Sequence, residues 1–245
     1  MDSGLNSYYN GLTVQYQKRF SGWFQGQAAY TYSHAIDYNI GGAGNTLYVP
    51  YIDSVINGGY SQEKGSASTD ERHRLVINGV ITPKFTQSTS WFARYFVNNW
   101  QLSAISNFGS AFPEVPEIFV GSAHPGGLLS TSTINGLGGS KRVPFESTSA
   151  LDIDQLYRTD ARITKILPFS ERFRTMLIFE AVNVFNHPYI NGGYPARQPY
   201  QYQTVAYNGG YALAPYPNYG APQETQAPPD GTTARRAQAA IRFEW

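Results

Sequence analysis

Seven stretches of this 245-residue chain alternate apolar with polar residues, and the connections between them alternate between short and long. A period of two is the mark of a β-strand with one apolar and one polar face. The closing RRAQAAIRFEW is the clearest case. Trp245, Phe243, Ile241, Ala239 and Ala237 fall on one face, and Glu244, Arg242, Ala240, Gln238 and Arg236 on the other. In GLTVQYQKRF, Leu12, Val14, Tyr16 and Phe20 oppose Thr13, Gln15, Gln17 and Arg19. After a short SGW turn, FQGQAAYTYS sets Phe24, Gly26, Ala28, Tyr30 and Tyr32 against Gln25, Gln27, Ala29, Thr31 and Ser33, so the two read as a hairpin. RHRLVINGVIT places Leu75, Ile77, Gly79 and Ile81 opposite Arg74, Val76, Asn78 and Val80. WQLSAISNF places Trp100, Leu102, Ala104 and Phe108 opposite Gln101, Ser103, Ile105 and Asn107. YRTDARITKILPF carries Asp160, Arg162 and Thr164 on one face, with Ala161 and Ile163 on the other. In RFRTMLIFEAVNVFNH, Arg174 and Glu180 share a face, and Leu177, Phe179, Ala181 and Phe185 take the opposite one.

The long connections are residues 35–69, 109–154 and 187–233, all rich in Gly, Pro, Ser, Asn or Tyr. Between the third and fourth strands lies PKFTQSTSWFARYFVNN, a connection with enough aromatic content to extend a strand. Loops above about 12–15 residues are uncommon in compact soluble domains. On alternate connections of an antiparallel meander, they all lie at one end. Short turns at one rim and long loops at the other is the layout of an outer-membrane barrel, with its apolar face to lipid and its polar face to the lumen. Closing the sheet satisfies every backbone hydrogen bond where no water can. The fold class is therefore all-β: an antiparallel transmembrane β-barrel segment of about 7–8 strands, in the outer membrane of a Gram-negative type of envelope.

Composition agrees. Aromatic residues make up 15% of the chain and charged residues 14%, where a soluble domain averages roughly 25% charged. No run of about 18 apolar residues exists, which excludes a transmembrane helix. A net charge of +1 gives no reason to expect nucleic acid as a partner. The absence of cysteine removes disulfides, thiolate metal sites and cysteine catalysis. The opening MDSGLNSYYNGL has neither a basic start nor an apolar core, so it does not read as a secretory leader.

YNGLTVQYQKRF, AAYTYSHAID, RHRLVINGV, NWQLSAI, FRTMLIFEAVNVFNHP and AQAAIRFEW, in that order and spacing, resemble the C-terminal barrel portion of TonB-dependent receptors. The likeness is to the Oar-like subgroup, whose full-length members begin with a carboxypeptidase-regulatory-like domain. The resemblance spans nearly the whole chain. It implies uptake of an unidentified ligand, with the lipid bilayer and the barrel-assembly machinery as partners. It also implies that the C-terminal Trp245, Phe243 and Ile241 form the signal read by that machinery. Members carry a plug inside a 22-stranded barrel and a segment that engages TonB. Nothing here matches either, so residues 1–245 read as the last third of a barrel, with TonB reached only through the missing plug. Such a piece is not expected to transport by itself.

An extra weak strand in QYQTVAYNGGYALA would restore an even count and a small autonomous barrel, a pore or adhesin. A soluble aromatic-rich β-sandwich that binds carbohydrate is the alternative outside membranes. The inward charges Arg74, Asp160, Arg162, Arg174 and Glu180 read as wet or mutually paired lumen residues, or as a face turned to a plug.

Signals for chemistry are weak. His34, His73, His124 and His187 fall in loops or at strand ends without metal-ligand spacing. Asp152, Asp154 and Asp160 in DIDQLYRTD lack the glycine and glutamate of a calcium loop. No G-x-S-x-G turn is present, and GGAG and NGLGGS lack the strand–turn–helix setting of a phosphate loop. No enzyme activity and no cofactor are expected. Tyr200, Tyr202, Tyr207, Tyr211, Tyr216 and Tyr219, in the last long loop, have the rings to stack on sugars or peptide, or on one another.

Overall fold

The computed structural model describes residues 6–38, 64–114, 117–119, 146–147, 149–152, 155–170, 172–187, 201–217, 219–220 and 234–245. Seven strands carry the architecture: β1 (Tyr8–Ser21), β2 (Phe24–Asp37), β3 (His73–Ile81), β4 (Trp100–Gly109), β5 (Leu156–Pro168), β6 (Arg174–Val182) and β7 (Arg236–Glu244). They lie side by side in chain order, and every neighbouring pair is antiparallel. Residues 22–23, 82–99 and 169–173 connect strands at one rim, and residues 38–72, 110–155 and 183–235 connect them at the other.

The register carries the alternation of each strand through the whole sheet. Phe24, Ile81, Leu102, Ile163, Phe179 and Ala239 follow one another across six strands as direct partners. The row beside it is Gln25, Val80, Ser103, Arg162, Glu180 and Gln238. A slip of one residue anywhere would mix the two faces, and none occurs between Phe24 and Glu244. The one register shift lies between Lys18 and Ser21, where β1 enters its turn through Gly22 at φ +68°.

Among the described residues, the buried hydrophobic side chains are only Ala67, Ala93 and Tyr202. Leu12, Val14, Ile77, Leu102, Ile163, Leu177, Phe179 and Ile241 instead stand exposed along one face. An apolar face of this extent marks a surface that meets something other than water. Polar groups on that face pair with one another: Tyr30 Oη with His73 Nδ1 at 2.8 Å, and Ser106 Oγ with Thr159 Oγ1 at 2.9 Å. Such pairing is what hydrocarbon demands. Near the short-turn rim, Gly26 and Gly79 are register partners lying under the Phe24 ring, which a Cβ on Gly26 would meet at 2.6 Å. The glycines admit the ring, and the ring covers their bare backbone.

Three local expectations need correction. Residues 82–99 do not extend a strand. Asn98 folds them back, its Oδ1 accepting from the Phe85 and Thr86 amides at 3.0 and 3.1 Å and its Nδ2 donating to Thr86 O at 2.7 Å. A short helical turn ending in the π-turn Ala93–Val97 fills the loop. Strand β6 stops at Val182, because Asn183 and Asn186 take φ of 52° and 53°, so Phe185 lies in a turn rather than on the apolar face. Strand β2 runs on to Asp37, so residues 35–37 belong to the strand rather than to the long connection, and His34 lies near its end.

The QYQTVAYNGGYALA segment does form a hairpin, Gln201–Tyr207 with Gly210–Pro215, through Asn208 and Gly209 at φ 48° and 77°. Positive φ at both central residues is the hairpin turn that Asn-Gly favours. It pairs in parallel with Glu117–Phe119 in a separate three-stranded sheet, so it adds no strand to the meander. Two smaller pairings complete the picture, Gly65–Ser66 on the end of β2 and Pro113–Glu114 with Leu151–Asp152. His124, Asp154, Tyr200, GGAG and NGLGGS lie outside the described residues.

Candidate functional site

The polar face of the seven-strand wall gathers the charges singled out in the sequence. Arg74, Asp160, Arg162, Arg174 and Glu180 all stand on it. The Arg162 guanidinium donates to Glu180, and the other Glu180 oxygen accepts from the Gln238 amide, which makes a rung across β5, β6 and β7. Arg174 pairs with Glu244, its register partner, and Arg242 Nε lies 3.3 Å from the other oxygen of Glu244. Toward the long-loop rim, Asp160 accepts from Arg158 Nε at 3.0 Å and from the Asn183 amide at 2.9 Å. Arg74 stands apart on β3 and donates to Glu71 at 3.1 Å.

Opposite charges facing each other across strands stabilise a sheet by roughly 0.2–1 kcal/mol each. The arginines are half exposed, 55% for Arg162 and 56% for Arg174, so these pairs belong at the low end of that range. What the arrangement does is chemical rather than energetic. It offers water a hydrophilic wall in which Asp160, Glu180 and Glu244 each face an arginine and arginine is in excess.

Residues 67–72, missed in the sequence, build a second cluster at the long-loop rim. Asp70 is 4% exposed. Its Oδ1 accepts the Ala35 amide at 2.7 Å, and its Oδ2 accepts from His34 Nδ1 and Arg72 at 3.0 Å each. Ser33 donates its amide to Arg72 O at 3.0 Å and its hydroxyl to Glu71 O at 2.9 Å. Burial alone would push the Asp70 carboxyl up. The Ala35 amide, the Arg72 and His34 hydrogen bonds and the Arg72 charge outweigh it and hold the group below the usual carboxylate range. The available signal was STDERHR itself, four charged residues and a histidine in a chain otherwise poor in charge.

The apolar face is bounded by aromatic rings at both rims. Trp23, Trp91, Phe169, Phe173, Phe243 and Trp245 are exposed on or beside the short-turn rim, and Tyr8, Tyr32 and Tyr157 near the other. Trp100 and Phe108 open and nearly close β4 on the same face. At about 3.4 Å per residue and a tilt near 40°, they stand about 21 Å apart along the membrane normal, close to the ~25 Å apolar band of such barrels. Trp245, Phe243 and Ile241 are 88, 66 and 62% exposed and end the band at its inner border.

Among the described residues, no group of three or more His, Cys, Asp or Glu side chains comes together as a metal site. His34 and His73 are engaged with Asp70 and Tyr30. His187 packs edge-on against the Tyr157 ring, 5.3 Å between centroids. In the outer hairpin, Tyr202 donates to Glu146 at 3.0 Å and meets the Tyr219 ring edge-on at 5.0 Å. These tyrosines pack on one another.

Comparison with curated proteins and with solved structures finds no match. A family model described as "Outer membrane beta barrel domain" matches residues 1–131, more than half of the chain and all of β1 to β4. Its apolar face is accordingly the surface that meets the bilayer of the Gram-negative outer membrane. By fold, by banding and by this match, the chain belongs to the outer membrane β-barrel domain family.

Proposed function

We propose that the chain forms the C-terminal part of the barrel of a TonB-dependent receptor of the Oar-like kind, taking up a ligand across the outer membrane. One observation carries the reading furthest. Strands β1 and β7 both run from the long-loop rim to the short-turn rim, so the two edges of the wall, unpaired among the described residues, point the same way. Open edges are not tolerated in hydrocarbon. The charged polar face also calls for a wet interior wide enough to hydrate it, as a large barrel provides. The motif order from YNGLTVQYQKRF to AQAAIRFEW supports the same assignment. In this reading Trp245, Phe243 and Ile241 engage the assembly machinery. The five wall charges face water or a plug, and TonB acts through that plug. No catalytic step and no cofactor belong to it.

The test is to extract the native protein from outer membranes with detergent, using antibody against the β6–β7 region, and to measure its size and its energy dependence. A polypeptide much longer than 27.2 kDa, whose ligand uptake stops when TonB is removed, is the expected result. A heat-modifiable 27.2 kDa protein that conducts ions on its own would refute the receptor reading in favour of a small pore.

A further inference from the structure

On the bilayer face Tyr30 pairs with His73 and Ser106 with Thr159, side chain to side chain, but among the described residues Lys165 has no side-chain hydrogen-bond partner. Its register partners are Trp100 and Leu177, which place it on the apolar face of β5, and it is only 6% exposed. Its Nζ donates to the Asn98 carbonyl and lies 4.9 Å from the centre of the Trp100 ring. No ion pair of the described residues includes it. An ammonium has three donors. A desolvated cation at a membrane wall is costly unless a counter-charge reaches it.

Its surroundings say which counter-charge. Lys165 sits three positions before the end of β5, at the short-turn rim, against the helical turn that ends at Val97. Tyr95 Oη donates to Pro168 O at 3.2 Å and Trp100 Nε1 to Phe96 O at 3.0 Å, which fasten that turn to the wall. Trp91, Phe92 and Phe96 point outward from it, 68, 59 and 55% exposed, as rings do at headgroup level. From Lys165 a shallow apolar depression of about 520 Å³ runs over Ile163, Leu177, Phe179, Ala239 and Ile241.

We propose that this depression is a seat for one anionic phospholipid of the periplasmic leaflet, its phosphodiester at Lys165 and one acyl chain along Ile163, Leu177 and Phe179. A cation at the interface joined to an apolar trough toward the bilayer centre matches the two ends of that molecule. Free phosphate would use only the first. Lys18, on the same face of β1, lies 5.4 Å from the Phe24 ring and is not among the residues lining this trough.

The experiment reads lipid retention by the full-length protein, purified in mild detergent and exchanged into phosphatidylglycerol or phosphatidylcholine, by native mass spectrometry. Heat-modifiable migration certifies folding. The wild type is expected to keep phosphatidylglycerol selectively. Lys165→Gln should hold it about fivefold less well, the equivalent of about 1 kcal/mol for one lysine at a membrane surface. Lys165→Arg should keep it, and Lys18→Gln should change nothing. Leu177→Trp, which fills the trough and leaves the lysine in place, should lower retention as well. Equal retention by wild type and Lys165→Gln, unchanged retention in Leu177→Trp, or equal retention of the two lipids would overturn the proposal.

Discussion

Ala104 and Ile105 are neighbours in the chain, and the register gives them opposite surroundings. Ala104 lies between Gly79 and Ala161 on the apolar face, and Ile105 between Asn78 and Asp160 on the polar face. Ala104 is halfway between Trp100 and Phe108, so it stands about 10 Å from each aromatic belt after allowing for strand rise and tilt. An arginine there would be near the bilayer midplane, too deep to snorkel freely. Ala104→Arg should therefore destabilise the inserted barrel by about 2–4 kcal/mol, a factor of about 30–900 in the folding equilibrium. Ile105→Arg brings its guanidinium beside Asp160 on a hydrated wall, and its effect should stay within about 1 kcal/mol. The assay is urea-driven unfolding of the full-length protein from lipid vesicles, followed by heat-modifiable migration and tryptophan fluorescence. If Ala104→Arg folds as well as the wild type while Ile105→Arg is crippled, the faces are inverted and the assignment of lipid and lumen is wrong.

Three further outcomes follow from particular contacts. Glu180→Gln removes the charge that joins Arg162 to Gln238; because that rung is half exposed, it should cost no more than about 1 kcal/mol in the same urea assay. Asp70→Asn should weaken the hold of residues 67–72 on β2 by about 1–3 kcal/mol, seen as faster hydrogen exchange at the Ala35 amide. Since the Asp70 carboxyl is held below its ordinary 3.8, that anchor is at full strength above about pH 4. It is lost only as the pH falls through the lowered value, so the protection factor at Ala35, corrected for the intrinsic exchange rate, should not be changed by Asp70 from pH 8 down to the carboxylate range and should fall in stronger acid. Gly26→Ala would set a methyl 3.1 Å from the Asn78 carbonyl as well as against the Phe24 ring. It should cost about 1–3 kcal/mol, and the Phe24→Ala background should relieve only the ring's share.

The strands were legible because the solvent on each side of the wall is chemically uniform. Residues facing lipid are apolar or paired with few exceptions, Lys165 among them, and that rule writes period two into each strand without reference to its neighbours. Register was legible only indirectly. Arg162 and Glu180 could be assigned to one face from their own strands, but their pairing depends on how far β5 and β6 slide, which the short turn at residues 169–173 decides. The helical turn before Asn98 was not legible, because its aromatic residues face the interface and are as frequent there as in a strand. Its determinant is one side chain, the Asn98 amide, closing the loop on Thr86. The hairpin at residues 201–215 shows the reverse. Its Asn-Gly turn announces a hairpin locally, yet which sheet it joins depends on Glu117–Phe119, far away in the chain. The Asp70 cluster was missed for the same reason, since His34 and Asp70 meet only when residues 67–72 fold back on β2.

Strand direction places a constraint on closure that side chains do not. Because β1 and β7 run the same way, joining them directly would make a parallel seam in an otherwise antiparallel wall. A second copy does not help. Antiparallel pairing of β1 with the β1 of another copy, or of β7 with another β7, would require one copy to be inverted in the membrane, with its long loops at the periplasmic rim. Pairing β1 of one copy with β7 of another keeps both upright but is again parallel. In a fully antiparallel barrel, the strands that complete the circle must therefore be odd in number, the one beside β7 beginning at the short-turn rim and the one beside β1 ending at the long-loop rim. A 22-stranded receptor wall meets that condition, and an eight-stranded one would meet it with a single further strand. The two differ in the lumen they leave. Eight strands enclose only enough room for packed side chains, which would press Arg162, Glu180, Arg174 and Glu244 against whatever side chains faced them across a narrow core.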